Sequence, residues 1–215
     1  MSQLLPDLPL LSAFLAASLV LALAPGPGVF YIVARSLAQG RRAGLASVAG
    51  VALGNLSNAL LAAWGLAALF ALSNLAFTVM KVAGALYLVY LGIRTLAGGR
   101  AAHGQDIQDG KSRHAFRDGM VVALLNPKTM VFFAAFLPQF MSPSAPAAGQ
   151  AMVLGALFVG IALVTDTAYA LAAAAVLPRL GKSPGFQTWG RRLSGSMLIT
   201  LGLVAALSDQ RMKPK

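Results

Sequence analysis

The sequence predicts an all-α integral membrane protein: six transmembrane helices in a 3+3 inverted-topology repeat, with helices 1 and 4 broken. Three observations carry that prediction. The 215 residues are 58% hydrophobic and 11% charged, without a single glutamate, and their mean hydropathy is +0.74. A soluble domain of this size carries about 25% charged residues. Six stretches, 8–37, 44–72, 75–96, 116–140, 151–177 and 188–207, are long enough to cross a hydrocarbon core, which takes about 20 apolar residues. Two of them are interrupted in matching places, by Ala24-Pro25-Gly26-Pro27-Gly28 and by Asn126-Pro127-Lys128.

The first stretch reads as a retained span. Met1 to Leu10 contains Asp7 and no Lys or Arg, so it lacks the positive n-region of a secretory signal. Ala22-x-Ala24 resembles a cleavage site, but Pro25 and further apolar sequence follow it directly. Proline removes a backbone donor and clashes with the preceding turn, and glycine is the next weakest helix former. A helix entering Pro25-Gly26-Pro27 therefore breaks, and in hydrocarbon a break is tolerated only where protein buries it or a water-filled cavity solvates it. None of the stretches alternates with period two, which argues against a β-barrel.

The only long polar segment, Gly98 to His114, is a loop too short to fold alone. The chain therefore reads as one transmembrane domain, 1–215, with repeat one at about 8–97, a cytoplasmic loop at about 98–115 and repeat two at about 116–207. Lys and Arg set the orientation. The connections after spans one, three and five hold Arg35, Arg41 and Arg42, then Arg94, Arg100, Lys111, Arg113 and Arg117, then Arg179, Lys182, Arg191 and Arg192. The opposite side has Lys81 and the tail residues Arg211, Lys213 and Lys215. Those three connections are expected in the cytoplasm and both termini outside, with the basic tail as the one feature against it.

The net charge of +11 is explained by these flanking cations, so no nucleic-acid partner is expected; the partner is the lipid bilayer. The absence of cysteine excludes disulfides and thiolate chemistry. The halves also resemble each other: Lys81-Val-Ala-Gly84-Ala-Leu-Tyr-Leu in span three matches Arg192-Leu-Ser-Gly195-Ser-Met-Leu-Ile in span six. Each then reaches a Leu-Gly pair, Leu91-Gly92 and Leu201-Gly202, one residue out of register. Three spans per half is an odd number, so the halves run in opposite senses, and broken helices in corresponding positions point to a transporter's binding site.

Depth singles out the polar residues that matter. Pro27 lies eight residues from Arg35 and Lys128 eleven from Arg117, which puts both breaks about 12–17 Å inside a core of roughly 30 Å. Asn58, sixteen residues from Arg42, and Asp166, thirteen from Arg179, fall at a similar level. Asp166 is the one acid at that depth. Ionised there it would cost about 2.5–3.5 kcal/mol, so it is protonated, hydrated or paired. It reads either as a proton or cation carrier or as a structural partner of Lys128.

Lys128 is too deep to snorkel comfortably and suits a carboxylate. Amides exposed after Pro27 or around Lys128 add donors for an anion. Carbonyls left unpaired by Pro25, Pro27 and Pro127 suit an ammonium, so a zwitterion meets both needs. Asn58, Asn55 and Tyr31 supply further hydrogen bonds to substrate or between helices. The expected substrate-binding set is Pro25, Gly26, Pro27, Tyr31, Asn58, Asn126, Pro127 and Lys128, with Asp166 as the proton-coupling residue.

Gly50-x-x-x-Gly54 reads as a face for close helix approach. Tyr87, Tyr90 and Trp189 read as interface-belt or packing residues. His103 and His114 stand eleven apart without cysteines nearby, so neither a metal site nor a cofactor is expected. With no Glu, Cys or intramembrane His there is no acid–base pair and no activated nucleophile. The chain is not expected to be an enzyme.

Several motifs resemble those of the lysine/threonine exporter (LysE/RhtB) family. They are Pro25-Gly26-Pro27, Gly40-Arg41-Arg42-Ala-Gly44 and Gly50-x-x-x-Gly54 in the first half. Lys81-x-x-Gly84-Ala-x-Tyr87-Leu-x-x-Leu91-Gly92 resembles its third span. Asn126-Pro127-Lys128 with Phe132-Phe133 and Leu137-Pro138-Gln139-Phe140 resembles its fourth, and Asp166 with Tyr169 its fifth. The resemblance implies a bacterial-type inner-membrane exporter of amino acids or close derivatives, driven by proton uptake, and a homodimer. Some threonine/homoserine exporters of the family have a histidine in span two where this chain has Asn58, which leaves Asp166 as the coupling candidate. The functional expectation is secondary active efflux of a small amino acid or close derivative in exchange for protons. The alternatives are a passive channel or efflux valve for small solutes, an exporter of another solute, and a membrane scaffold.

Overall fold

The computed structural model describes residues 4–64, 74–97, 106–142, 146–179 and, in the last predicted span, 192–193, 195–200, 202–203 and 206. Among the described residues every regular element is helical. The remainder of stretch 44–72, most of 188–207, Trp189, His103, the Lys81 side chain and the basic tail lie outside the described residues.

The first apolar stretch breaks where its prolines require it. α1 (Leu8–Leu23) and α2 (Pro27–Gln39) meet at a bend of 45°, with Pro27 at the first helical position, where its missing N–H costs nothing. α2 ends at Gly40, whose φ of 82° turns the chain directly into α3 (Arg41–Ala63); only glycine takes that conformation without strain. α4 spans Asn74–Ala97 and α5 spans Asp106–Leu124. After the second break comes α6 (Pro127–Val131), again at 45° to what precedes it.

The chain beyond α6 is irregular: a π turn over Phe132–Phe136 and a 3-10 turn over Leu137–Phe140. Pro138 cannot bond the carbonyl one turn back and crowds it, which opens the ladder there. α7 (Ala147–Arg179) is the longest element.

α5 starts at Asp106, well before the predicted span at 116, so part of the expected polar loop is helix. Two helices, Arg41–Ala63 and Ala147–Ala175, are long and apolar enough to cross a membrane, and the two bent pairs raise the count to four. That is fewer than the six of the sequence reading, because α4 offers only the shorter apolar run Val82–Ala97 and the last stretch is described in part.

The described bundle is apolar outside and polar inside. Val20, Leu86 and Val164 are 69%, 64% and 71% exposed, whereas Asp118 and Asp166 are 1% and 5% exposed. α3 is the central helix, packed against α2, α5 and α7. Gly54 permits this: a Cβ there would lie 2.6 Å from the Met120 carbonyl oxygen, so the α3 and α5 backbones touch. A second close crossing joins α4 to the last span at Gly195, where a Cβ would lie 2.9 Å from the Gly92 carbonyl.

Two apolar clusters bracket the breaks. One gathers Phe14, Phe132, Phe133 and Phe158, with the Phe132 and Phe133 rings 4.8 and 5.3 Å from that of Phe158. The other joins Ile32, Val48, Val51, Ala123 and Ala170.

Candidate functional site

A helical carbonyl pairs with the N–H four residues on, so Pro25, Pro27 and Pro127 take that partner from the carbonyls of Leu21, Leu23 and Ala123; among the described residues only Ala123 O keeps a backbone donor, the Asn126 N–H at 3.2 Å. Each of the three accepts from a polar side chain of another helix. Lys128 Nζ donates to the Leu21 oxygen at 2.7 Å, Tyr169 Oη to the Leu23 oxygen at 2.9 Å, and Asn58 Nδ2 to the Ala123 oxygen at 2.9 Å. Lys128 Nζ also donates to the Ala24 carbonyl. Its side chain crosses the first break because residue 26 is glycine; a Cβ there would stand 3.0 Å from Lys128 Cδ.

This corrects one expectation. These carbonyls were read as open to a substrate ammonium, and the protein's own side chains occupy them instead. The reason is the cost of an unpaired backbone group away from water, which the bundle removes by bringing a donor to each.

The donor side of the first break is left open. Gly26 at the N-cap offers no side chain, Pro27 has no N–H, and the first bond within α2 runs from Phe30 N–H to Gly26 O. The amides of Gly28 and Val29 have no hydrogen-bond partner among the described residues. α6 differs, since Asn126 Oδ1 accepts from the Lys128 backbone N–H at 3.1 Å and caps it.

Between the breaks lies a cavity of about 40 Å³, room for a few waters at roughly 10–15 Å³ each. Leu21, Ala22, Gly26, Gly28 and Val29 form one wall, Asn126, Lys128 and Thr129 a second, Val51 and Asn55 a third, and Phe158, Ala162 and Asp166 the last. Lys128 places two N–H groups on carbonyls, leaving one of its three donors. Asp166 accepts no hydrogen bond and joins no ion pair among the described residues. It does not clasp Lys128: the lysine is held on the backbone of the break, and the two charges face a common space.

Of the expected binding residues, the cavity gathers Gly26, Asn126 and Lys128 with Asp166. Pro25, Pro27 and Pro127 act through the carbonyls whose helical partner they remove. Asn58 lies off the cavity and ties α3 to α5. Tyr31 lies in a second polar cluster, where its hydroxyl donates to the Ala115 carbonyl at 3.1 Å and accepts from Arg35 Nε at 3.0 Å.

The centre of that cluster is Asp118, which the sequence reading passed over although it stands just inside the fourth predicted span. It pairs with Arg35 at 2.9 Å and accepts from Tyr87 Oη at 3.1 Å, with Arg117 and Arg94 at 3.9 and 4.0 Å. The one signal for it in the sequence was an acid among the cations of a span end. Thr129, which also lines the cavity, carried no signal in the sequence.

The chain matches the family model described as LysE type translocator over residues 19–209. It is 34% identical over 195 residues to a homoserine/homoserine lactone efflux protein of Salmonella typhimurium, covering 90% of this chain and 94% of that protein. The like-named protein of Salmonella typhi is 33% identical with the same coverage. An uncharacterized membrane protein of Vibrio cholerae is 35% identical, covering 90% of this chain and 95% of its own length. No solved structure matches the chain.

Proposed function

The chain belongs to the LysE type translocator family, a family of efflux transporters and not of enzymes, and we propose that it exports a small polar amino acid or close derivative in exchange for protons. The observation that supports this most is one cavity holding opposite charges that do not touch each other. On one side stand the remaining Lys128 N–H and the unpaired Gly28 and Val29 amides at the positive end of α2; on the other stands Asp166. Donors at a half-helix N-terminus suit a carboxylate, and a lone carboxylate suits an ammonium. Homoserine, the solute in the names of the Salmonella relatives, has both groups. Its lactone offers an ester carbonyl, which accepts from the same N–H donors.

Exchange follows from competition. A substrate ammonium and a proton both neutralise Asp166, and the carboxylate accommodates one at a time. Substrate entering from the Arg35 end displaces the proton inward; a proton arriving from the opposite side displaces the substrate outward. Movement between the two requires the aromatic cluster and the Ile32–Val48–Val51 layer to open in turn. The excess of cations at the Arg35 end supports a cytoplasmic position for it in an inner membrane, with both termini outside. The two 45° breaks support an inverted repeat of two three-span halves. The exposed apolar flanks are available to lipid and to a second copy in a homodimer.

The test is transport by reconstituted vesicles loaded with an amino-acid panel under an imposed pH gradient, for the wild type and Asp166→Asn. Uphill, pH-driven movement of one amino acid in the wild type, lost in a folded Asp166→Asn, is the expected result. Downhill flux indifferent to pH and to the substitution would replace this reading with that of a passive channel.

A further inference from the structure

Two asparagines stand one turn apart on α3 and are treated oppositely. Asn58 donates to the Ala123 carbonyl. Asn55, 4% exposed, makes no hydrogen bond among the described residues; its Oδ1 is sealed from solvent and its side chain lines the cavity with Lys128 and Asp166. A buried amide presents two donors and an acceptor, and leaving them unmet is a standing cost that an apolar residue of similar size would avoid. Among the described residues the other fully enclosed oxygen without a partner, Ser18 Oγ, lies off the cavity, so Asn55 is the neutral polar side chain on the cavity wall that the protein leaves unbonded.

Its position narrows what it reads. Val51, one turn earlier on the same face, borders Gly28, where an added Cβ would meet it at 3.4 Å. Asn55 is therefore one helical turn along α3 from the open amides of α2. On the reading above, the substrate carboxylate lies at those amides and Lys128, and the ammonium at Asp166. The remaining group of a small polar amino acid is its side chain.

We propose that Asn55 is the specificity-determining contact for that side chain, hydrogen-bonding its oxygen and so favouring hydroxylated over purely aliphatic amino acids. This rests on the amino-acid reading of the same cavity. A hydroxyl both donates and accepts, so it satisfies the amide in either of its two orientations, and an analogue without the hydroxyl offers the amide no such partner. Sites that bond a substrate hydroxyl reject the analogue lacking it far better than apolar sites discriminate by size.

The experiment is counterflow in reconstituted vesicles with L-homoserine and with L-2-aminobutyrate, which lacks only the hydroxyl. The wild type is expected to prefer homoserine about tenfold or more. Asn55→Val should bring the ratio near one, and Asn55→Thr, which has the shape of that valine but carries a hydroxyl able to bond the substrate, should keep part of it. Each variant is checked for a monodisperse, cooperatively melting protein; if Asn55→Val does not fold, the wild-type ratio and Asn55→Thr decide. A wild-type ratio near one, or a ratio unchanged in Asn55→Val, overturns the proposal while leaving amino-acid export intact. Movement of neither compound, with another class of solute carried instead, overturns the amino-acid reading and this inference with it.

Discussion

Asp118 and Asp166 are both nearly fully buried aspartates in the same bundle, and their surroundings are opposite. Asp118 is saturated: Arg35, Tyr87, Arg94 and Arg117 converge on it from α2, α4 and α5. Asp166 has no hydrogen bond or ion pair among the described residues and faces a cavity beside a lysine held elsewhere. A buried charge whose partners are all protein groups fixes the relative positions of the helices that supply them. A buried charge without such partners is unfavourable unless a proton, water or a ligand meets it. On the proposed reading the comparison separates a lock from a site, although residue type and burial are the same.

Substitutions at seven positions sharpen or break that distinction. The largest effect is expected of Asp118→Ala, which strands Arg35 in a buried position; breaking such a pair costs about 3–5 kcal/mol. Thermal melting of the purified protein should show a large loss, whereas Asp166→Asn, which removes an unpaired charge, should melt at or above the wild-type temperature. Equal losses in the two would erase the distinction.

Lys128→Met tests whether the cavity lysine also belongs to the scaffold. It takes the lysine donor from the part-buried Leu21 carbonyl and the exposed Ala24 carbonyl, at about 1–3 kcal/mol for the first, and it should abolish export as well. A protein of unchanged stability would mean that water serves those carbonyls as well as the lysine does.

Asn58→Ala removes one of two donors to the Ala123 carbonyl, which keeps the Asn126 N–H, and Tyr169→Phe removes the side-chain donor to Leu23 O, so each should lower stability by about 0.5–1.5 kcal/mol while leaving the homoserine preference of the folded fraction unchanged. A shift in that preference for Asn58→Ala would move Asn58 from the scaffold to the site. The smallest effects are expected at the rim of the Asp118 cluster. Arg94 and Arg117 have side chains 46% and 69% exposed, so replacing either with Ala should cost under about 1 kcal/mol in denaturation midpoints.

Much was legible along the chain because its physics is local. The apolar runs, the charge pattern at their ends and the two proline breaks follow from residue type and spacing. The sequence alone also determines which carbonyls lose their helical partner, since a proline at one position removes the donor for the carbonyl four residues earlier. It does not determine who meets them: Lys128, Tyr169 and Asn58 reach their carbonyls from positions far away in the chain, and that depends on how the helices cross.

The same holds for the two asparagines of α3. Asn55 and Asn58 are equivalent by depth and helix face as far as one dimension can tell, yet the bundle pairs one and leaves the other to the cavity. Asp118 was overlooked for the reason that Tyr31 was assigned to the site: a test by depth ranks residues along the membrane normal and is blind to lateral neighbours. Chain-local chemistry decided where polarity had to be accommodated in this protein. Only the packing of helices distant in sequence decided which polar groups were satisfied, because a hydrogen bond of about 3 Å depends on where two backbones cross and not on what either sequence contains.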